Sequence, residues 1–272
     1  MKIAICTLMK NGHEYLKEWL DYHFHLGIDD IFIYEDYNSK SHIDICVNYE
    51  HVILDSIENM IESDKTIHMR QMLLWNAFID RYKDEYDWVA FIDLDEFIML
   101  EDGLEIKSFL TSYNDYSGLF MFWKMFTADG RIENPHKPLL DTYKTVFDKP
   151  IPCKIQFPFK SFVNLKSICP RMMCNHEVYG GVDVYGNYGP HNINYDKIWL
   201  NHYFTRSWEE WSDRFFERGH ICTGNREIDD FFLINVEMKE MREDLMKFSL
   251  DKIKNKFSPR FKKNDNNQFN II

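Results

Sequence analysis

The 272-residue sequence has no C-x-x-C pair, no long apolar run and no basic stripe, and each absence removes a class of protein. Its six cysteines, Cys6, Cys46, Cys153, Cys169, Cys174 and Cys222, are scattered along the chain and read as reduced thiols of a cytoplasmic protein. No stretch approaches the roughly 20 apolar residues of a membrane span, and the first residues lack a signal-peptide pattern. The chain is therefore expected to be neither secreted nor anchored by its own helix. Acidic residues outnumber basic ones 44 to 32, a formal net charge of −12, so no nucleic-acid partner is expected. The late basic stretch of Lys252, Lys254, Lys256, Arg260, Lys262 and Lys263 reads as a solvated polar tail. Its alternative is peripheral contact with an anionic membrane, at the inner face, or with a polyanionic acceptor. No repeat or low-complexity linker divides the chain. No G-x-G-x-x-G or G-x-x-x-x-G-K-[ST] phosphate loop follows the first strand-like segment.

What is present is a core-forming pattern, 45% hydrophobic and 16% aromatic. The rings read first as core and second as stacking surfaces for carbohydrate. Lys2 to Leu8 is a strand-like run, and Tyr15, Leu16, Trp19, Leu20 and Phe24 form a helical stripe that Gly27 stops. Ile31 to Tyr34 and His51 to Leu54 read as strands, Thr66 to Tyr82 as a helix, and Trp88 to Ile92 as a strand covered on both faces. Four strands alternating with helices predict a doubly wound, mostly parallel α/β sheet. After Gly103 the rhythm changes to extended segments at 118–126 and 154–165, then helices at 207–216 and 228–248, which predicts a mixed sheet and C-terminal helices. In such sheets ligands bind outside the carboxyl ends of the strands, which places 7–11, 35–39 and 93–96 on one rim.

On that rim stands Asp93-Leu94-Asp95. Two carboxylates two residues apart on an extended chain point to one side and repel unless a cation lies between them. A divalent ion with oxygen ligands, Mg²⁺ or Mn²⁺, resolves the repulsion and bridges to substrate phosphates. A strand-ending acidic turn without a metal is the plainer alternative.

Several segments together resemble glycosyltransferase family 92, the DUF23 group, and its bacterial glycosyltransferase-2-like relatives. They are Asn11 to His23, Leu26 to Asp30, Tyr34-Glu35-Asp36 with Ser39, Trp88 to Phe97, Trp199 to Ser207, Glu209-Glu210-Trp211 and Arg218-Gly219. The resemblance covers roughly residues 1 to 220. It implies a GT-A-like fold, a nucleotide-diphosphate sugar donor (a UDP-sugar, with galactose the first candidate), Mn²⁺ or Mg²⁺, and inversion at the anomeric carbon. The family's N-E pair is stretched here to Asn11-Gly12-His13-Glu14. Its K-S-I-V segment is matched by Lys160 to Val163 or by Lys166 to Cys169, the first being preferred on its distance to His176. One domain is expected over 1–250, with a nucleotide-sugar half at 1–100, an acceptor half at 101–250 and the basic tail at 251–272.

With that resemblance, Asp95 and His202 are expected to hold the metal, with Asp93 serving metal or ribose and His176 as the substitute histidine; by its own alternating segment His202 reads as a half-buried strand histidine. Thr7, Asn11, Glu14 and Asp36 are expected around the nucleotide, although Asn and Asp suit turns without any ligand. Arg70 is expected on the carboxylates or the diphosphate, and Lys160 in similar work, although a surface lysine is the default reading of Lys160. An inverting transfer to a glycan or glycolipid acceptor needs a general base. Asp183, in the Gly-rich segment 180–186, is the candidate, with Glu177 comparable; solvated loop carboxylates are the plainer reading of both. Glu210 stands three residues after Ser207 in a capping-box pattern and is discounted as a base. Rival readings are a nucleotidyltransferase or sugar-phosphate enzyme, and a non-catalytic carbohydrate-binding protein of the same fold.

Overall fold

A computed structural model of the chain describes residues 1–10, 13–36, 42–61, 67–152, 155, 157–218, 230–257, 261–263 and 269–271. Asn11 and Ser39 lie outside the described residues.

The first strand, β1 (Ile3–Met9), is buried along its whole length. Its side chains alternate between two cores, as a pleated strand in the middle of a sheet requires. Ile3 and Ile5 join Trp19, Leu20, Trp88 and Ala90 on one face, while Ala4 and Cys6 join Trp75, Phe78, Val89 and Phe91 on the other. The first core is closed by α1 (His13–Leu26), whose stripe of Tyr15, Leu16, Trp19 and Leu20 is buried. Gly27 ends that helix with φ +105°, a left-handed conformation suited to glycine. The second core is closed by α3 (Ile67–Tyr82) through Leu74, Trp75, Phe78 and Ile79.

Between these helices in the chain come β2 (Asp30–Glu35), the short α2 (Ile43–Cys46) and β3 (Val52–Ser56), and after α3 comes β4 (Trp88–Phe91). These strands make a parallel half-sheet in the order β3-β2-β1-β4. The doubly wound α/β expectation is met by these paired cores.

The sheet then continues with β5 (Glu96–Leu100), β6 (Gly118–Met125), β7 (Phe159–Asn164), β8 (Gly181–Val182) and β9 (Ile198–His202). Nine strands form one sheet, ordered β3-β2-β1-β4-β7-β6-β9-β5, with β8 beside β6. The added half is mixed: β7 is antiparallel to β4 and β6, β5 is antiparallel to β9, and β9 is parallel to β6. Two short helices, α4 (Ile106–Thr111) and α5 (Leu139–Thr142), fill its connections.

The C-terminal helices are α6 (Trp208–Arg218), α7 (Phe231–Ile234) and α8 (Arg242–Phe257), followed by a small antiparallel pair, β10 (Phe261–Lys263) and β11 (Phe269–Ile271). The single helix expected at 228–248 is instead α7, a 3₁₀ segment Val236–Met241 and α8. The break falls at Asn235, whose side-chain oxygen accepts from the Ala128 N–H and whose amide donates to the Phe231 carbonyl. Lys252, expected in a solvated tail, bridges Glu209 and Asp213 of α6 at 2.6 Å each. Among the described residues Cys6, Cys46, Cys169 and Cys174 are free thiols, and no helix is long and apolar enough to cross a membrane.

Candidate functional site

Strand β4 ends at Phe91, and the chain turns. The Glu96 N–H donates to the Asp93 carbonyl at 3.0 Å, and the Asp93 N–H donates to Glu96 Oε2 at 2.8 Å. This reciprocal closure puts Leu94 and Asp95 at the tip of a turn, so the two aspartates do not share an extended segment. Contrary to the expectation from their spacing, Asp93 and Asp95 do not point to one side but meet different partners.

Asp93 faces the helix α3 and strand β7 side. Its Oδ2 accepts from Lys160 Nζ at 2.8 Å and its Oδ1 from Gln71 Nε2 at 3.3 Å, with Asn175 donating in turn to Gln71 at 3.2 Å. Lys160 is buried, which overturns the default of a surface lysine, and Glu96 Oε1 stands 4.0 Å from its ammonium. Burial works against the Lys160 charge, and Asp93 and Glu96 more than offset it, so its pKa is raised. Burial pushes the Glu96 carboxyl well up, with Lys160 only partly opposing.

Asp95 faces strand β9 and helix α6. Its Oδ2 accepts from Arg206 Nη2 at 3.1 Å and Arg214 Nη1 at 3.4 Å, and its Oδ1 stands 3.7 Å from His202 Nε2. Burial favours the neutral acid, yet Arg206, His202 and Arg214 together hold the carboxyl well below the usual carboxylate range. His202 reaches this place because β9 pairs with β5 in a register that sets it opposite Glu96. Its ring packs on Trp123 at 4.3 Å, and His176, the substitute histidine, packs on the same indole at 5.4 Å.

The nucleotide-side expectations divide. Thr7 and Asp36 stand at the carboxyl ends of β1 and β2, both buried. Asp36 Oδ2 pairs with Arg70 Nη2 at 3.0 Å, so Arg70 meets Asp36 where the acidic turn or the diphosphate was expected. Glu14 turns to the loop after β6, accepting from Asn134 Nδ2 at 3.0 Å and standing 2.5 Å from His136 Nδ1.

Asp183 is not brought to this cluster. Its carboxylate accepts from the Tyr185 and Asn187 N–H groups at 2.8 and 3.0 Å and from Asn187 Nδ2 at 3.0 Å, which closes a buried turn. The preceding Val182 pairs with Leu119 at the start of β6, whereas His202 pairs with Met125 at its end. Six residues of strand separate those positions, about 20 Å at ~3.3 Å per residue. Glu177, the comparable carboxylate, is half-buried in the hairpin-like 171–179 segment, where its carbonyl accepts from the Met173 N–H. Glu210 does form the expected capping box, its N–H donating to Ser207 Oγ at 3.2 Å and its Oε2 accepting from the Ser207 N–H at 3.3 Å. It also pairs with Arg206 at 3.4 Å.

Among the described residues no group of three or more His, Cys, Asp or Glu side chains converges as a metal nest. The donors that do approach one another, Asp95 Oδ1 and His202 Nε2, suit an ion that takes its remaining ligands from water and phosphate, as Mg²⁺ and Mn²⁺ do. The acidic turn stands beside the buried Lys160 and the half-buried Arg206 and Arg214, past the carboxyl end of β4, where the parallel half-sheet of this α/β protein gives way to antiparallel strands.

The chain belongs to glycosyltransferase family 92, whose model matches residues 2–261. A family 92 protein of Ricinus communis is 27% identical over 232 residues, 80% of this chain and 38% of that protein. One of Oryza sativa subsp. japonica is 24% identical over 81% of this chain and 36% of that protein. The chain thus spans just over a third of the length of these relatives. Among solved structures, glucosyl-3-phosphoglycerate synthase from Mycobacterium tuberculosis, in complex with Mg²⁺ and uridine-diphosphate, overlaps 61% of this chain and 57% of its own at 14% identity and TM-score 0.34. HddC from Yersinia pseudotuberculosis overlaps 67% and 90% at 11% identity and TM-score 0.33. These overlaps are partial, and the family assignment rests on the sequence match.

Proposed function

We propose that the chain transfers a sugar from a nucleotide-diphosphate donor to a hydroxyl of a glycan or glycolipid, with inversion, at the cytoplasmic side of the cell. A UDP-sugar is the donor proposed, with galactose the first sugar to test. The observation that carries this reading is Asp95, a carboxylate paired with Arg206 and Arg214 and standing 3.7 Å from His202, past the end of β4 in a family 92 chain.

Mn²⁺ or Mg²⁺, held by Asp95 and His202 with Asp93 alongside, would neutralise charge on the departing diphosphate. Arg206 and Arg214 add fixed positive charge next to the same carboxylate, which would favour a bound diphosphate. Lys160 and Gln71 hold Asp93 in place for the ion or the ribose. Thr7, Asp36 and Arg70 serve the nucleoside: Thr7 Oγ1 and Asp36 Oδ1 are buried without a hydrogen-bond partner among the described residues, so a bound nucleoside is the natural source of one. In the transfer, the acceptor oxygen bonds to the anomeric carbon as the bond to the diphosphate oxygen breaks. The diphosphate leaves with the electron pair, and a base takes the acceptor's proton. Asp183, at the other end of β6, is not carried into that role.

A donor panel with Mn²⁺, read by nucleotide release and by product NMR for the anomeric outcome, tests the reading. Asp95→Asn is expected to lower turnover by at least 100-fold, about 2.7 kcal/mol. Because Arg206 and Arg214 lose their counter-charge in that variant, folding is checked by circular dichroism at the assay temperature. No donor consumed by the parent chain, or full turnover in folded Asp95→Asn, sinks the proposal.

A further inference from the structure

Asp95 is held by one oxygen. Both guanidinium groups reach Oδ2, from Arg206 at 3.1 Å and Arg214 at 3.4 Å, while Oδ1 is the atom that faces His202. Arg206 is itself fixed from several sides. Its backbone has φ +56°, a region that non-glycine residues seldom adopt unless their surroundings impose it. Its guanidinium lies 5.0 Å from the centre of the Tyr15 ring and 3.4 Å from Glu210 Oε1.

Glu210 has more partners than a helix cap needs. A capping box requires only Ser207. Here Oε1 also accepts from the Tyr15 hydroxyl at 2.5 Å, and Oε2 accepts from the Tyr143 hydroxyl at 2.8 Å and Ser207 Oγ at 2.9 Å. Those donors come from α1, from the residue after α5 and from the residue before α6, so one buried carboxylate ties three elements together and presents Arg206 to Asp95.

We infer that Glu210 and Arg206 are positioning residues that restrict Asp95 to one ligating oxygen, and that this restriction selects Mn²⁺ or Mg²⁺ over Ca²⁺. The inference rests on Asp95 being a metal ligand. Ca²⁺ takes six to eight oxygens and accepts carboxylates through both oxygens, whereas Mg²⁺ demands near-octahedral geometry. A carboxylate whose Oδ2 is occupied by two guanidinium groups offers Oδ1 alone. Loosening the Arg206 contact leaves Oδ2 to the longer Arg214 contact at 3.4 Å, which opens two-oxygen binding and lowers the penalty against the larger ion.

The experiment measures Mn²⁺ binding directly, by the electron paramagnetic resonance signal of free Mn²⁺ with UDP present and with Ca²⁺ as competitor. The parent chain is compared with Asp95→Asn, Glu210→Gln, Arg206→Lys and Tyr143→Phe, each checked for folding by circular dichroism. Outer hydrogen-bond partners of metal ligands typically contribute 10–100-fold to affinity. Glu210→Gln and Arg206→Lys are therefore expected to weaken Mn²⁺ binding by about 10–100-fold and to narrow the Ca²⁺-to-Mn²⁺ ratio of dissociation constants by roughly tenfold. Tyr143→Phe, which keeps its ring, is expected to narrow the ratio in smaller measure. Mn²⁺ binding lost in Asp95→Asn, with an unchanged ratio in every folded Glu210, Arg206 and Tyr143 variant, overturns the positioning role alone. Undiminished Mn²⁺ binding by Asp95→Asn overturns the metal reading beneath it.

Discussion

Two aspartates separated by one residue sit in electrostatically different places, and the difference is made by residues distant in sequence. Asp93 is about one-third exposed and held by a single buried ammonium, while Asp95 is nearly enclosed and held by two guanidinium groups. Removing the Lys160 ammonium leaves Asp93 and the deeper Glu96 without their cation. Breaking a buried pair from one side is costly, and the exposure of Asp93 reduces that cost by solvent screening. Lys160→Met is expected to lower unfolding stability by about 2 kcal/mol, read from urea midpoints, and to shift Asp93 toward solvent. A neutral result would mean that Gln71 alone fixes Asp93. The acidic motif was legible in the sequence, and so was the segment containing Arg206. Arg214 was not: one arginine on an amphipathic helix carries no local pattern, and it meets Asp95 across 119 positions only because α6 folds back over the turn. Asp183 misled for a related reason, since distance along the chain does not say at which end of β6 its strand pairs.

At the level of elements, the docking of α1 on β5 depends on a histidine that must stay neutral. His23 is fully buried; its Nδ1 lies 2.8 Å from the Trp19 carbonyl and its Nε2 accepts from the Ile98 N–H at 3.3 Å. Burial pulls its pKa from the ordinary 6.5 down to about 3, against the smaller opposing effect of the Trp19 carbonyl. Below pH 6.5 the unfolded chain binds a proton that the folded chain refuses, so stability falls as pH drops toward about 3. Each proton contributes about 1.4 kcal/mol per pH unit, so this group alone should cost about 2 kcal/mol between pH 6.5 and 5. Urea midpoints should show that slope in the parent chain and a flatter one in His23→Gln, which starts lower at pH 7. Equal slopes would mean that water reaches the imidazole. The helix that carries His23 was readable from its stripe and from Gly27. The strand it docks on was not, because Glu96 to Leu100 follows the acidic turn at once and has no boundary signal of its own. Nor does local sequence reveal that β5 pairs with β9, about a hundred residues later.

Across the whole molecule, a parallel half with two cores was predictable from alternating strands and helices, whereas the order β4-β7-β6-β9-β5 required long-range pairing that no local pattern encodes. That order brings Lys160, His202, Arg206 and Arg214 against Asp93 and Asp95 from separate parts of the chain. In the unfolded chain those groups are far apart, so a ligand that needs them all binds the folded state alone. A bare diphosphate entering would meet Asp93 and Asp95, and a bare divalent ion would meet Lys160, Arg206 and Arg214. The two ligands carry opposite charge, so each offsets the repulsion that the other encounters. UDP and Mn²⁺ are therefore expected to stabilise the fold together by more than the sum of their separate effects. At one hundred times the joint dissociation constant the gain is about 2.7 kcal/mol, which for a chain of this size corresponds to a rise in melting temperature of about 5–10 °C. Thermal scans with UDP, Mn²⁺, both, and both plus chelator measure it directly. If UDP alone produced the full rise, undiminished by chelator, the arginines and Lys160 would suffice for the diphosphate, and the pairing of Asp95 with His202 would need another purpose.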